Sequence, residues 1–200
     1  HGASMGSIIR AIRYGFNSVM YDGSELPLDE NIQETSRVKQ ICRHVNIPVE
    51  GELGHVGTVN ECIDSYKFTD PEQANIFCEV TGVDMLAIMV GTAHGRYKKA
   101  PELDIERIAA IREKTNKPLV LHGGSGIPDE QIKNAIAAGI AKINFATDIC
   151  QAFIDEIRSL PDDSVLWEKP IDVFAYKPIK AVESYMEKKI LLLGAENKIA

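Results

Sequence analysis

Three His-Gly pairs punctuate the chain: His1-Gly2, His94-Gly95 and His122-Gly123. Imidazole nitrogens suit zinc and similar divalent ions, and three of them leave a coordination position at which a substrate can bind and be polarised. The glycine after each lets backbone come close to a ligand. Taken singly, each histidine reads just as well as a side chain hydrogen-bonded at a strand end. A second constellation is Gly123-Gly124-Ser125-Gly126, which leads through Ile127-Pro128 towards a helix. Backbone N–H groups and a hydroxyl before a helix N-terminus can meet an anion such as phosphate; the other reading is a flexible turn. Thr147 and Asp148 either join that anion-holding edge or cap the helix that follows. Asn144 is an amide in an otherwise apolar run and must find a partner, for which a ligand is a natural candidate. Asp22 in MYDGS and Glu52 in EGELG could orient metal ligands or offer an alternative metal position. They could equally be a turn-forming Asp and a salt-bridged Glu.

Residues so far apart need a scaffold that delivers them to one edge, and the hydrophobic pattern predicts it. Short apolar, β-branched runs begin near Val19, Val49, Met85, Leu119 and Lys142, with a helix-like segment after each. In the stretch Lys117 to Asp148, LVLH and KINFA read as buried strands around a helix opened by Pro128 and closed by Gly139. A parallel crossover places both strand C-termini on one rim, together with His122, the glycine-rich turn, Asn144 and Thr147. Elsewhere the pattern predicts an early helix with Ile8, Ile9 and Ile12 on its apolar face. A second runs from about Leu28 to His44 and buries Ile32, Val38 and Ile41; a third is opened by Asp70-Pro71 and stopped by Gly82. VDMLAIMVGTAHG reads as a strand buried on both faces and ending at His94-Gly95, followed by a helix N-capped by Asp104. A final amphipathic helix is expected from Ile179 to Leu193.

Strand-helix alternation gives an α/β fold with a parallel sheet, doubly wound or closed as a (βα)8 TIM barrel. The barrel is preferred: no GxGxxG follows the first strand, and nearly every strand ends in a chemically active residue. About five βα units are present. Residues 1–200 are therefore expected to be the C-terminal part of a single barrel domain, with a C-terminal helical extension from about 160 to 200. Lys and Arg total 22 against 29 Asp and Glu, and this net charge of -7 argues against nucleic acid or an anionic membrane as the partner. No apolar run approaches the roughly 20 residues of a membrane span, so the expected location is cytoplasmic. Four scattered cysteines, without a CxxC pair, read as reduced thiols.

With these residues in place, the sequence resembles the class II (zinc-dependent) ketose-bisphosphate aldolases, which act on fructose-1,6-bisphosphate, tagatose-1,6-bisphosphate and related sugars. HG at the start, SVMYDGS, EGELG, GTAHGRYK, LVLHGGSG and KINFATD occur in the family's order. The resemblance implies zinc held by His1, His94 and His122, with Asp22 and Glu52 at a second or alternative metal position. It implies that Gly95, Lys98, Gly123, Gly124, Ser125, Asn144, Phe145, Ala146 and Thr147 bind the substrate through dihydroxyacetone phosphate. A monovalent cation, Na+ or K+, accompanies the phosphate in some members, and a homodimer or homotetramer is the implied assembly. The implied reaction is reversible aldol cleavage of a phosphorylated ketose to dihydroxyacetone phosphate and an aldehyde. Two departures stand out. The family's catalytic Asp directly precedes the first metal histidine, and here His1 is the first residue. In the loop after ELG, Asn60 falls at a catalytic Glu position with Glu61 beside it, so Glu61 is the candidate proton-transfer residue. These departures leave open a catalytically inactive metal- and phosphate-binding barrel. A zinc hydrolase that activates water is a further alternative.

Overall fold

The computed structural model describes residues 1–59, 68–160 and 170–198. In chain order its elements are α1 (Met5–Arg13), β1 (Val19–Tyr21), α2 (Leu28–Arg43), β2 (Val49–Leu53), α3 (Pro71–Thr81), β3 (Met85–Ile88), α4 (Ile105–Thr115), β4 (Leu119–Leu121), α5 (Asp129–Ala138), β5 (Ile140–Ile143), α6 (Thr147–Arg158) and α7 (Ile171–Leu192). The strands form one parallel sheet in the order β1-β2-β3-β4-β5. Each crossover carries a helix, as parallel pairing requires.

Side chains alternate across the sheet, and the two faces differ in kind. Val19, Tyr21, Val49, Leu53, Leu86, Ile88, Leu119 and Leu121 pack with Ile8, Val38, Phe77, Ile108 and Ile132 of the helices into one core. The alternate positions Met20, Glu50, Glu52, Ala87 and Val120 lie outside that cluster although they are buried. Register aligns Met20 with Glu50, Glu52 with Ala87, Ala87 with Val120, and Val120 with Lys142. One face holds the fold together and the other carries polar groups.

Local signals set most helix ends. Asp70 accepts from the N–H of Glu72 and Gln73 at the start of α3, and Asp104 accepts from Arg107 N at the start of α4. Gly82 ends α3 in the left-handed conformation, with φ of 67°. Four expectations are corrected. Ile9 and Ile41 are exposed, and the buried positions of α2 are instead Asn31, Thr35, Val38 and Cys42. There Asn31 donates to the carbonyl of Glu52 at 2.9 Å and accepts from Thr35, so the helix grips β2 by hydrogen bonds. The strand expected to reach His94 ends at Ile88. β5 starts at Ile140 rather than Lys142, and Ala141 and Lys142 are exposed because only β4 pairs with it among the described residues. Finally, α7 begins eight residues early, at Ile171, and passes through a buried Pro178.

Candidate active site

His1 is set by backbone pairing. The N–H of Gly2 donates to Met20 O at 2.9 Å, and Asp22 N donates back to Gly2 O at 3.1 Å, so the His-Gly pair lies alongside the tip of β1. His94 follows five buried residues beyond β3 and is held in a bridge with the loop after β2: its N–H donates to Gly57 O, and its carbonyl accepts from Val59 N. His122 directly follows β4 and is fully buried. The three rings converge, with centroids 4.7 Å apart for His1 and His122, 5.9 Å for His94 and His122, and 6.1 Å for His1 and His94.

Two carboxylates on β2 frame His122. Glu50 accepts from its Nε2 at 2.8 Å and from Lys142 Nζ at 2.7 Å. Burial pushes the Glu50 carboxyl up, but the hydrogen bonds from His122 and Lys142 outweigh it and leave the group below its ordinary range. With the Nε2 proton directed at Glu50, Nδ1 is the ring atom turned towards the remaining space. That Nδ1 and Glu52 Oε2 lie 3.5 Å apart, both buried and both without a hydrogen-bond partner. The other oxygen of Glu52 accepts from Val56 N at 3.2 Å. Two buried acceptors facing each other are unfavourable unless a cation or proton lies between them. Burial, assisted by the charge of Asp22, lifts the Glu52 carboxyl to about 7. One ligand atom each from His1, Glu52 and His122 falls within 4.8 Å of the others, a nitrogen-and-carboxylate set that fits zinc.

Asp22 lies 3.8 Å from His1 Nδ1 and accepts from both the N–H and the hydroxyl of Ser24. The His1 interaction raises the imidazole and, with Ser24, holds Asp22 well below the usual carboxylate range against the opposing effect of burial. Burial, then the neighbouring His122 and His1, lower His94 and so favour its neutral form.

A cavity of about 280 Å³ opens beside the histidines, lined by His1, His94, Gly95, Gly123, Ser125, Asn144, Ala146 and Thr147. Gly123 has φ of 67°, and a Cβ there would come within 2.4 Å of Ala93 O, so only glycine lets the two loops approach this closely. Ser125 Oγ accepts from the N–H of Ala146 and Asp148, joining the glycine-rich turn to the first turn of α6. Gly124 N donates to Asn144 O. The cavity thus faces a helix N-terminus, where backbone dipoles favour an anion.

The structure brings His1, His94, His122, Asp22 and Glu52 together, and it places Gly95, Gly123, Ser125, Asn144, Ala146 and Thr147 around the cavity. Gly124 lies just behind. Phe145 turns towards α7, and exposed Lys98 is not among the lining residues. Asn60 and Glu61 lie outside the described residues. Sequence reading missed Glu50, Lys142, Asn31 and Tyr97. The Tyr97 hydroxyl accepts from Ala93 N and faces the carbonyls of Ala93 and Gly123 at 2.8 and 3.1 Å, tying the two histidine loops together. Glu50 had a signal in the i, i+2 spacing that puts it on the face of Glu52.

One edge of a parallel α/β sheet thus carries three converging histidines and an anion-facing rim. The family model "Fructose-bisphosphate aldolase class-II" matches residues 1–198, and the chain belongs to that family. It is 39% identical over 203 residues to the sulfofructosephosphate aldolase of Alkalicoccus urumqiensis, a match covering 99% of this chain and 70% of the relative. It is 41% identical over 201 residues to the 6-phospho-5-dehydro-2-deoxy-D-gluconate aldolase of Shouchella clausii, covering 100% of this chain and 68% of the relative. The crystal structure of the YdjI aldolase from Escherichia coli K12 superposes with a TM-score of 0.86 at 38% identity, covering 100% of this chain and 69% of that one. The fold is therefore that of the class II aldolase barrel, of which the described residues carry five parallel strands. No helix among the described residues is long and apolar enough to cross a membrane.

Proposed function

We propose that the chain serves zinc-dependent, reversible aldol cleavage of a phosphorylated ketose of the fructose- or tagatose-1,6-bisphosphate type, releasing dihydroxyacetone phosphate and an aldehyde. The observation that carries this reading is the buried pair of unpartnered acceptors, His122 Nδ1 and Glu52 Oε2, facing each other beside His1. His1, His94 and His122 would hold the metal, with Glu52 and Asp22 at an adjoining position. When bound, zinc supplies Lewis-acid polarisation of the ketose carbonyl and stabilisation of the negative charge that develops on cleavage. The protein's own groups do the rest. Glu50, anchored by Lys142, fixes the ring of His122 so that its lone pair faces the site. The backbone of Gly123 and Thr147 with Ser125 cradles the phosphate, so the reactive carbon is placed between cradle and metal. Both curated relatives named above act, by their names, on phosphorylated compounds, which supports an anion in that cradle.

The test is release of dihydroxyacetone phosphate from fructose-1,6-bisphosphate and tagatose-1,6-bisphosphate, before and after chelation. Activity on at least one, abolished by chelator and restored by zinc, is expected. Turnover indifferent to chelation, or stoichiometric zinc retained at unchanged affinity in His94→Ala or His122→Ala, would overturn the assignment.

A further inference from the structure

The helix α7 reaches the phosphate-facing turns through two side chains, Tyr185 and Lys189. The Tyr185 hydroxyl donates to Asp148 Oδ2 at 3.0 Å, and the same oxygen accepts from Gly126 N at 3.0 Å. Phe145 meets the Tyr185 ring edge-on, with centroids 6.5 Å apart and planes at 75°. Lys189 lies over both rings, 5.6 Å from the centroid of Phe145 and 5.7 Å from that of Tyr185, and bonds Asp129 in the first turn of α5 at 3.0 Å. One helix therefore grips the glycine-rich turn, the Asn144–Thr147 segment and the first turns of α5 and α6.

We infer that Tyr185, backed by Lys189, is a positioning residue for the phosphate end of the substrate, an assignment that rests on phosphate occupying those turns. Asp148 puts a carboxylate in the first turn of α6, next to the place where the anion is read to sit. Its charge would repel a phosphate unless hydrogen-bond donors turn it aside and share it. Gly126 N–H and the Tyr185 hydroxyl do this on a single oxygen, which also fixes the direction of the carboxylate. Burial and the Asp148 bond raise Tyr185 above its ordinary range, so the phenol keeps the proton it donates. Tyr185→Phe keeps the ring contact with Phe145 and removes only the hydroxyl. The carboxylate is then freer to turn towards the cradle, and a phosphorylated donor should feel this where an uncharged one does not.

The experiment compares dihydroxyacetone phosphate with dihydroxyacetone as donors in the condensation direction, using zinc-loaded protein. For Tyr185→Phe, KM for the phosphorylated donor is expected to rise roughly tenfold, equivalent to about 1.4 kcal/mol, with kcat nearly unchanged and the unphosphorylated donor unaffected. Lys189→Met, which leaves the hydroxyl in place, should shift the same KM by less, about twofold to threefold. Equal losses on both donors would reduce Tyr185 to a packing residue and overturn the inference, as would unchanged kinetics on both. Ser125→Ala separates this from the underlying reading. If it leaves the preference for the phosphorylated donor intact, the phosphate cradle itself falls; if it abolishes that preference while Tyr185→Phe does nothing, only the role of Tyr185 falls.

Discussion

Replacing Glu52 with glutamine should stabilise the metal-free protein at alkaline pH and do little in acid. The carboxyl's ordinary value is 4.5, and burial lifts it to about 7 in the folded chain. Between those values the native state holds a proton that the unfolded chain has released. Stability is therefore full below the lower value and is lost as pH rises through the upper one. At about 1.36 kcal/mol per pH unit, complete ionisation of the empty site costs roughly 3 kcal/mol, an upper figure because water entry would relieve part of it. In Glu52→Gln the amide side chain would keep an oxygen to accept from Val56 N and would turn an N–H towards the unpartnered His122 Nδ1. Urea denaturation in the presence of chelator, at about pH 5 and about pH 8.5, measures the effect through the midpoint at constant slope. The wild type is expected to weaken between the two and Glu52→Gln to remain level. His94 contributes to both proteins alike, while His1, which Glu52 helps to raise, changes in the same sense as Glu52, so the difference between the two profiles carries the effect. With zinc added the order reverses, because only the wild type gains the carboxylate at the metal. Parallel pH profiles for the two metal-free proteins would refute the claim that Glu52 is buried against its own ionisation.

Three further outcomes follow from the geometry. Glu50→Gln removes the charge that holds His122 and Lys142, and zinc affinity, read by competition with a chromophoric chelator, should fall about tenfold or more; unchanged affinity would mean that Glu50 does not orient the ring. Gly123→Ala forces a side chain into a left-handed backbone against Ala93 O and should cost more than about 2 kcal/mol in denaturant titration. Gly6→Ala, on the exposed side of α1 with nothing nearer than Arg10 at 3.6 Å, should instead add roughly 0.5–1 kcal/mol.

Much of the scaffold was legible because its signals are local. Asp70, Gly82, Asp104 and Gly139 punctuate helices by capping chemistry that needs only a few neighbouring residues. The three histidines were legible as a set because each is followed by glycine, and His94 and His122 sit on or just past an apolar run. The Lys142–Glu50–His122 chain was not. It joins residues 92 and 72 positions apart, and the pairings exist only once the strands are in register. A register shift between Leu119 and Val120 brings Lys142 opposite Val120, and nothing in KIN announces it. The final helix was expected only from Ile179, yet α7 runs through Pro178, where a proline forfeits one helical hydrogen bond. Asn31 and Thr35 carry no apolar signal, and only their mutual hydrogen bond and that from Asn31 to Glu52 O let both be buried against β2.

The division of labour between the two faces of the sheet also shapes how this protein can vary. Along β2, Val49, Gly51 and Leu53 face the helix layer, while Glu50 and Glu52 face His122. Neighbouring letters thus answer to different demands: a substitution at one position tests packing, and a substitution one place along tests the buried polar contacts of His122. The same interleaving makes a slip of one residue doubly costly, since it would turn two carboxylates into the apolar layer and leave the histidines facing valine and leucine. Glu50 and Glu52 therefore also help to specify the register of β2 against its neighbours.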